Sequence, residues 1–89
     1  MIRLNEMTDE ELALSYVRGN NQAFDLLLSR NQSKLFSYIL FVVHEQDLAN
    51  DIFQETFVKV ITKLQEGKYI DSGKFSAWIM RIAHNVIMD

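Results

Sequence analysis

The sequence predicts an all-α fold, a compact four-helix bundle, on three observations. Proline is absent and glycine occurs only 3 times in 89 residues, so long stretches contain no helix breaker. Apolar residues make up 48% of the chain, enough for one small core. They recur at three- and four-residue steps through most of the sequence, the period of a helix with one buried face. At this length the chain is a single domain, 1–89, with little core to spare. No internal repeat or low-complexity segment interrupts it.

Thr8-Asp9-Glu10-Glu11 has the form of a capping box, in which the Thr8 hydroxyl accepts from the backbone near Glu11 and the Glu11 carboxylate reaches back. The first helix is expected over 8–18. Gly19-Asn20-Asn21 then supplies a left-handed stop and a new N-cap. From Ala23 onward the set Phe24, Leu27, Leu28, Leu35, Tyr38, Ile39 and Val42 keeps helical spacing. One long helix over 21–43 follows, with a break near Asn31-Gln32-Ser33 as the alternative. Phe36 to Val43 is rich in β-branched and aromatic residues, but no second strand exists to pair with it, so it is assigned to the helix.

Asp47 is the expected N-cap of a third helix, 48–65, with the apolar stripe Leu48, Ile52, Phe53, Phe57, Val60, Ile61 and Leu64. Gly67 is its natural stop. Residues 66–74 form the one sizeable loop, with glycine, polar and basic residues around a single aromatic. A fourth helix over 74–89 carries Phe75, Trp78, Ile79, Ile82 and Val86 on one face. Phe24, Leu27, Ile39, Ile52, Phe57, Val60, Trp78, Ile79 and Ile82 are expected to be buried together. No stop signal precedes Asp89, which places an acid and a carboxyl at the negative end of the helix dipole. The 89 residues are therefore expected to be part of a longer chain.

Several function classes lack the residues they need. Without cysteine there is no disulfide framework, zinc-thiolate site or thiol nucleophile. The N-terminus has no signal-peptide core, and the longest nearly apolar stretch, Leu35 to Val43, is far short of the ~20 residues of a membrane span. A soluble, cytoplasmic protein without membrane association is expected. His44 and His84 are the only imidazoles, and His44-Glu45-Gln46-Asp47 is a weak metal spacing more typical of a solvated helix junction. Phosphate-binding loops, nucleophile elbows and zinc-protease spacings are missing. Neither an enzyme nor a cofactor-binding protein is expected.

Net charge is −3, too acidic for the whole surface to bind nucleic acid. Residues 1–66 hold 10 acids against 6 bases, whereas 67–89 hold 3 bases (Lys68, Lys74, Arg81) against 2 acids (Asp71, Asp89). Contacts with DNA are to be sought in the last quarter. On the third helix, Asp51, Gln54, Glu55, Val58 and Lys59 form an outward strip opposite the apolar one. Asp51 and Glu55 repel one turn apart, offset by the helix dipole and by an expected Glu55–Lys59 pair. The strip reads either as a solvated face or as a docking surface for an Arg-rich helix, with Gln54 as its hydrogen-bonding centre. On the fourth helix, Lys74, Ala77, Arg81, His84, Asn85 and Met88 lie away from the Trp78 stripe. That arrangement is again either an ordinary polar face or a platform for an unstacked strand, with cations for phosphates and Asn85 for a base edge.

The run Asp47-Leu48-Ala49-Asn50-Asp51-Ile52-Phe53-Gln54-Glu55-Thr56-Phe57-Val58-Lys59-Val60 resembles the region 2.2 signature of extracytoplasmic-function sigma factors of bacterial RNA polymerase. Phe75-Ser76-Ala77-Trp78-Ile79-Met80-Arg81-Ile82-Ala83-His84-Asn85-Val86-Ile87-Met88-Asp89 is similar to regions 2.3 and 2.4 of the same family, and Asp9 through Leu27 to its first helices. The resemblance covers nearly the whole chain. It implies a region 2-like four-helix domain whose third helix, through Asp51, Gln54 and Glu55, binds the clamp helices of the largest subunit of core RNA polymerase. It also implies that the loop from Gly67 to Lys74, with Lys68, Tyr69, Ser72 and Lys74, captures a base flipped from the promoter minus-ten element. Arg81, His84 and Asn85 would then contact the melted non-template strand. An anti-sigma factor and a C-terminal helix-turn-helix domain beyond residue 89 are further implications, and Trp78 is expected to be core rather than a base-stacking surface.

Two departures bear on strength. His84 stands where the family usually has Arg, replacing a fixed positive charge by an imidazole, and Asn50 replaces a frequent Glu beside Asp51. The basic stretch that normally follows the final Asp is also missing, so the 89 residues alone are expected not to select a promoter. The alternative reading is a helical interaction module, a sigma-like adaptor or decoy, that docks by the third helix and never touches DNA.

Overall fold

The structure, a computed structural model, describes residues 3–68 and 74–89. These form a 3-10 turn at Leu4–Glu6 and four helices: α1 (Asp9–Val17), α2 (Asn21–Val43), α3 (Gln46–Gln65) and α4 (Phe75–Met88). α2 runs unbroken through Asn31-Gln32-Ser33 and through the β-branched segment 36–43. Its 23 residues, about 35 Å of rise, account for most of the 43 Å long axis of the molecule. Among the described residues no helix is long and apolar enough to cross a membrane.

Local chemistry fixes most of the ends. The capping box closes in both directions, with Glu11 N donating to Thr8 Oγ1 at 3.1 Å and Thr8 N to Glu11 Oε1 at 2.8 Å. Gly19 takes φ 109°. Its N–H donates to Tyr16 O and that of Asn20 to Ser15 O, so the last carbonyls of α1 are satisfied before Asn20 caps α2 through Gln22 N. Gly67, at φ 72°, closes α3 in the same way, with bonds from Gly67 N to Leu64 O and from Lys68 N to Lys63 O.

The α2–α3 junction departs from expectation. His44 itself adopts the left-handed conformation at φ 59° that ends α2, a region histidine enters more readily than branched residues do. This turn reverses the chain early, so α3 starts at Gln46 and its N-cap is Glu45, which makes no side-chain cap bond. Asp47 is not the N-cap; it lies within the first turn, where its charge still faces the positive end of the dipole.

The core draws on all four helices, with Leu12, Leu27, Leu35, Ile39, Val60, Leu64, Phe75 and Ile79 almost fully enclosed. Seven of the nine residues predicted to be buried together are buried, and Phe24 and Trp78 are half-buried. Phe24 lies at the core edge between Tyr16 and Phe57, with centroids 5.1 and 6.2 Å away. Trp78 leans on Phe75 at 5.6 Å, a side chain too large to be covered fully by so small a bundle. Val42 and Leu48 keep the right period but are exposed, on either side of the α2–α3 junction. Ala13, Ala23, Ala49 and Ala83 are wholly buried instead and allow the helices to approach closely.

A polar junction ties three helices together. Asn31 on α2, only 4% exposed, donates to Leu27 O at 2.9 Å and to Asp9 Oδ2 on α1 at 3.2 Å, and accepts from Ser76 Oγ on α4 at 3.0 Å. Arg30 pairs with Asp9 at 3.2 Å and donates to the carbonyls of Met7 and Asn5. Beside it, the Glu10 carboxylate accepts from Phe75 N at 2.7 Å. α4 has no side-chain cap of its own, so α1 supplies one as a charge-assisted bond at the positive end of the α4 dipole. Asn31→Ala removes the bonds to Asp9 and Ser76, leaving Asp9 its Arg30 partner, and is expected to cost about 1–3 kcal/mol of stability in urea unfolding; Glu10→Ala should cost about 1 kcal/mol. A loss below about 0.5 kcal/mol for Asn31→Ala, the level of an ordinary surface change, would contradict the junction.

Candidate functional site

Two polar faces stand out. On α3, alternation of buried Ile52, Thr56, Phe57 and Val60 with the rest turns Asp51, Gln54, Glu55 and Val58 fully outward, with Lys59 half-buried beside them. The buried Thr56 hydroxyl bonds back to Ile52 O at 2.7 Å, so this polar residue is satisfied inside its own helix. The expected Glu55–Lys59 pair does not form: among the described residues the ion pairs are Asp9–Arg30 and Glu66–Lys68. Lys59 instead lines an open cleft with Thr62, Lys63 and Glu66. Asp51 and Glu55 therefore reach solvent as unneutralised carboxylates. They rim a cleft of about 410 Å³ whose apolar walls include Leu48, Val86 and Ile87.

On α4, Phe75, Ile79, Ile82, Ala83 and Val86 face the core, which leaves Lys74, Ala77, Arg81, His84, Asn85 and Met88 exposed along the other side. The side chains of Arg81 and Asn85 make no bond to other described residues. His84 is held: its Nδ1 lies 3.3 Å from the Tyr38 hydroxyl on α2. Lys68, just beyond α3, pairs with Glu66 at 3.2 Å, an exposed contact worth ~0–1 kcal/mol that a phosphate can displace. Tyr69 and Ser72 lie outside the described residues. The structure thus brings Lys74, Arg81, His84 and Asn85 together on one helix, with Asp51, Gln54 and Glu55 on another.

Some of the neighbourhood was not legible in one dimension. Tyr38 belongs to the apolar stripe of α2, and nothing in its spacing pairs its hydroxyl with a residue 46 positions later. Glu10 reads as an ordinary first-turn acid, yet it caps a helix 65 residues away. His44 serves as a left-handed helix cap with Phe41 beside it, ring centroids 6.3 Å apart. Among the described residues no three His, Asp or Glu side chains gather as a metal site.

A family model described as Sigma-70 region 2 matches residues 27–89. The chain is 35% identical over 82 residues to the RNA polymerase sigma-H factor of Pseudomonas aeruginosa, covering 92% of this chain and 42% of that protein. It is 31% identical over 80 residues to the ECF RNA polymerase sigma-E factor of Haemophilus influenzae, covering 90% and 41%. With the RNA polymerase sigma factor CarQ of Myxococcus xanthus it shares 32% identity over 71 residues, covering 80% and 40%. The chain spans about two fifths of the length of the curated relatives it matches. No solved structure gives a significant match.

Because the side chains of both faces stand in solvent, Glu55→Lys and Arg81→Ala should each leave thermal unfolding nearly unchanged, within about 0.5 kcal/mol. A loss above about 1 kcal/mol for either would make that residue part of the fold rather than of a binding face.

Proposed function

The chain belongs to the sigma-70 region 2 family, and from that premise we propose that it is the polymerase-docking, promoter-melting part of an extracytoplasmic-function sigma factor. Sigma factors initiate transcription and are not enzymes. The observation that carries the reading is the exposure of Asp51, Gln54 and Glu55 on the side of α3 opposite the buried Ile52 and Thr56, with no lysine ion-paired to the two carboxylates. A helix face of that kind suits the arginines of a partner helix, since guanidinium and carboxylate form paired, charge-assisted bonds. The partner in this reading is the clamp helices of the largest subunit of core RNA polymerase, and Gln54 supplies a donor and an acceptor at the centre of the contact.

DNA is bound on the other face. Arg81 and Lys74 neutralise phosphates of the non-template strand, His84 and Asn85 present polar groups to it, and Lys68, Tyr69 and Ser72 of the intervening loop take a base flipped from the minus-ten element. Flipping costs a few kcal/mol, and few cations are available to offset it. Binding to single strands should have a shallow salt slope, near −2 at ~0.7 per phosphate contact. Docking through α3 therefore precedes useful DNA binding, because it holds α4 against the strand at high local concentration. An anti-sigma factor, the remaining partner in this reading, restrains the protein by covering either face. The net charge of −3 favours a second reading, a sigma-like adaptor or decoy that docks without touching DNA.

Capture of core polymerase by this chain should fall at least tenfold for the Gln54→Ala/Glu55→Lys double variant, because the reversal adds like-charge repulsion to the lost bonds. Equal capture would remove the docking assignment. In the polymerase-bound state, Asn85→Ala should blunt discrimination between minus-ten sequences while Lys74→Ala weakens all of them alike. If the polymerase complex shows no dependence on DNA sequence or on either residue, the adaptor reading stands instead.

A further inference from the structure

The hydrogen bond between Tyr38 and His84 joins α4 to a part of α2 that the reading above leaves without a role. Asn31–Ser76 and Tyr38–His84 advance along both helices in the same direction, so α2 and α4 run side by side and parallel, with an open seam between their outer faces. Lys34, Tyr38 and Phe41 fall on one side of α2 at three- and four-residue spacing. Lys34 lines a cleft of about 430 Å³ with Lys74, Ala77 and Met80 of α4. Tyr38 meets His84 about one turn further on, and Phe41 beyond it is 76% exposed, more than any other large apolar side chain among the described residues. The one acid on that cleft is Glu10, whose carboxylate already holds Phe75 N. In a chain of net charge −3, this seam sets Lys34 and Lys74 on one cleft, with the rings of Tyr38 and Phe41 further along the same side of α2.

We infer that the α2–α4 seam is the second wall of the single-strand track, with Lys34 on a phosphate, Tyr38 positioning His84, and Phe41 offering its ring to an unstacked base. The occupant is single-stranded DNA continuous with the strand on α4, and the inference rests on the DNA-binding reading proposed above. Cations flanking exposed rings are what an unpaired strand needs: the charges follow the backbone, and a base of any identity stacks on the ring. From Lys34 to Phe41 the helix rises about 10 Å, room for a short run of nucleotides. Because Tyr38 holds one side of the His84 ring, it also decides which edge of the imidazole faces the strand.

The test uses the chain assembled with core polymerase and a fluorescein-labelled single-stranded oligonucleotide, read by anisotropy across a salt series. Phe41→Ala should weaken binding at least fivefold, the lower end of the ~1–3 kcal/mol that a stacked base is worth. Lys34→Ala should weaken it about threefold or more and reduce the salt slope by ~0.7. Both residues are exposed, so melting temperature and capture of polymerase should stay at the starting value. Tyr38→Phe, which keeps the ring and drops the hydroxyl, should alter base preference more than affinity. If Arg81→Ala weakens binding while Lys34→Ala and Phe41→Ala do not, the seam is not part of the track and the α4 reading survives alone. If no variant, Arg81→Ala included, changes DNA binding, both fall. If Phe41→Ala instead reduces polymerase capture, the seam is a protein contact and the inference is overturned.

Discussion

The arrangement of the α4 face depends on the bonds that join the start of α1 and the start of α4 to each other and to the middle of α2. Asn31 accepts from Ser76 and donates to Asp9, and Glu10 closes the first turn of α4 through Phe75 N. Burial of apolar side chains alone would let α4 slide or rotate against α2, since hydrophobic contact is non-directional. Three directional bonds at one level remove that freedom. They set which residues of α4 meet α2 further along, so that Tyr38 meets His84, and they leave Arg81 and Asn85 facing outward. A buried, hydrogen-bonded amide is thus the reference point from which the geometry of the α4 face is measured.

The two faces follow opposite electrostatic logic on one small bundle. α3 keeps two carboxylates a turn apart with neither ion-paired to Lys59, an arrangement that costs an isolated helix ~0.2–0.5 kcal/mol and that a cationic partner would relieve. α4 presents Lys74, Arg81 and polar groups, with the acid at its N-terminal end, Glu10, consumed as a cap. An overall charge of −3 keeps the free protein from coating nucleic acid indiscriminately. In the proposed reading, DNA contact is conditional on docking, since the few cations of α4 act only when something else brings the strand to them.

Helix number, the capping box at Thr8, the glycine stops at Gly19 and Gly67 and most of the core were legible from sequence, because each rests on short-range chemistry or on a 3.6-residue period. The outward positions of Asp51, Gln54, Glu55, Arg81 and Asn85 were legible for the same reason. Asp47 failed as an N-cap because an unforeseen left-handed histidine at 44 moved the start of α3 forward. Trp78 and Phe24 fell short of full burial because periodicity gives a direction and not the depth of cover available in so small a core. The Asn31 junction and the Glu10 cap were invisible, since each joins residues far apart in sequence and neither leaves a local pattern; Asn31 looked more like a break than a keystone.

Position-specific photo-crosslinking tests most directly whether α3 and α4 address different macromolecules. A photoreactive amino acid is placed at position 55 or at position 81, and the protein is assembled with core polymerase on a promoter whose minus-ten element is open. Position 55 should crosslink to the largest polymerase subunit and not to DNA, and position 81 to the non-template strand. Crosslinking of both positions to protein alone, or of position 55 to the DNA strand, would contradict the assignment of the two faces.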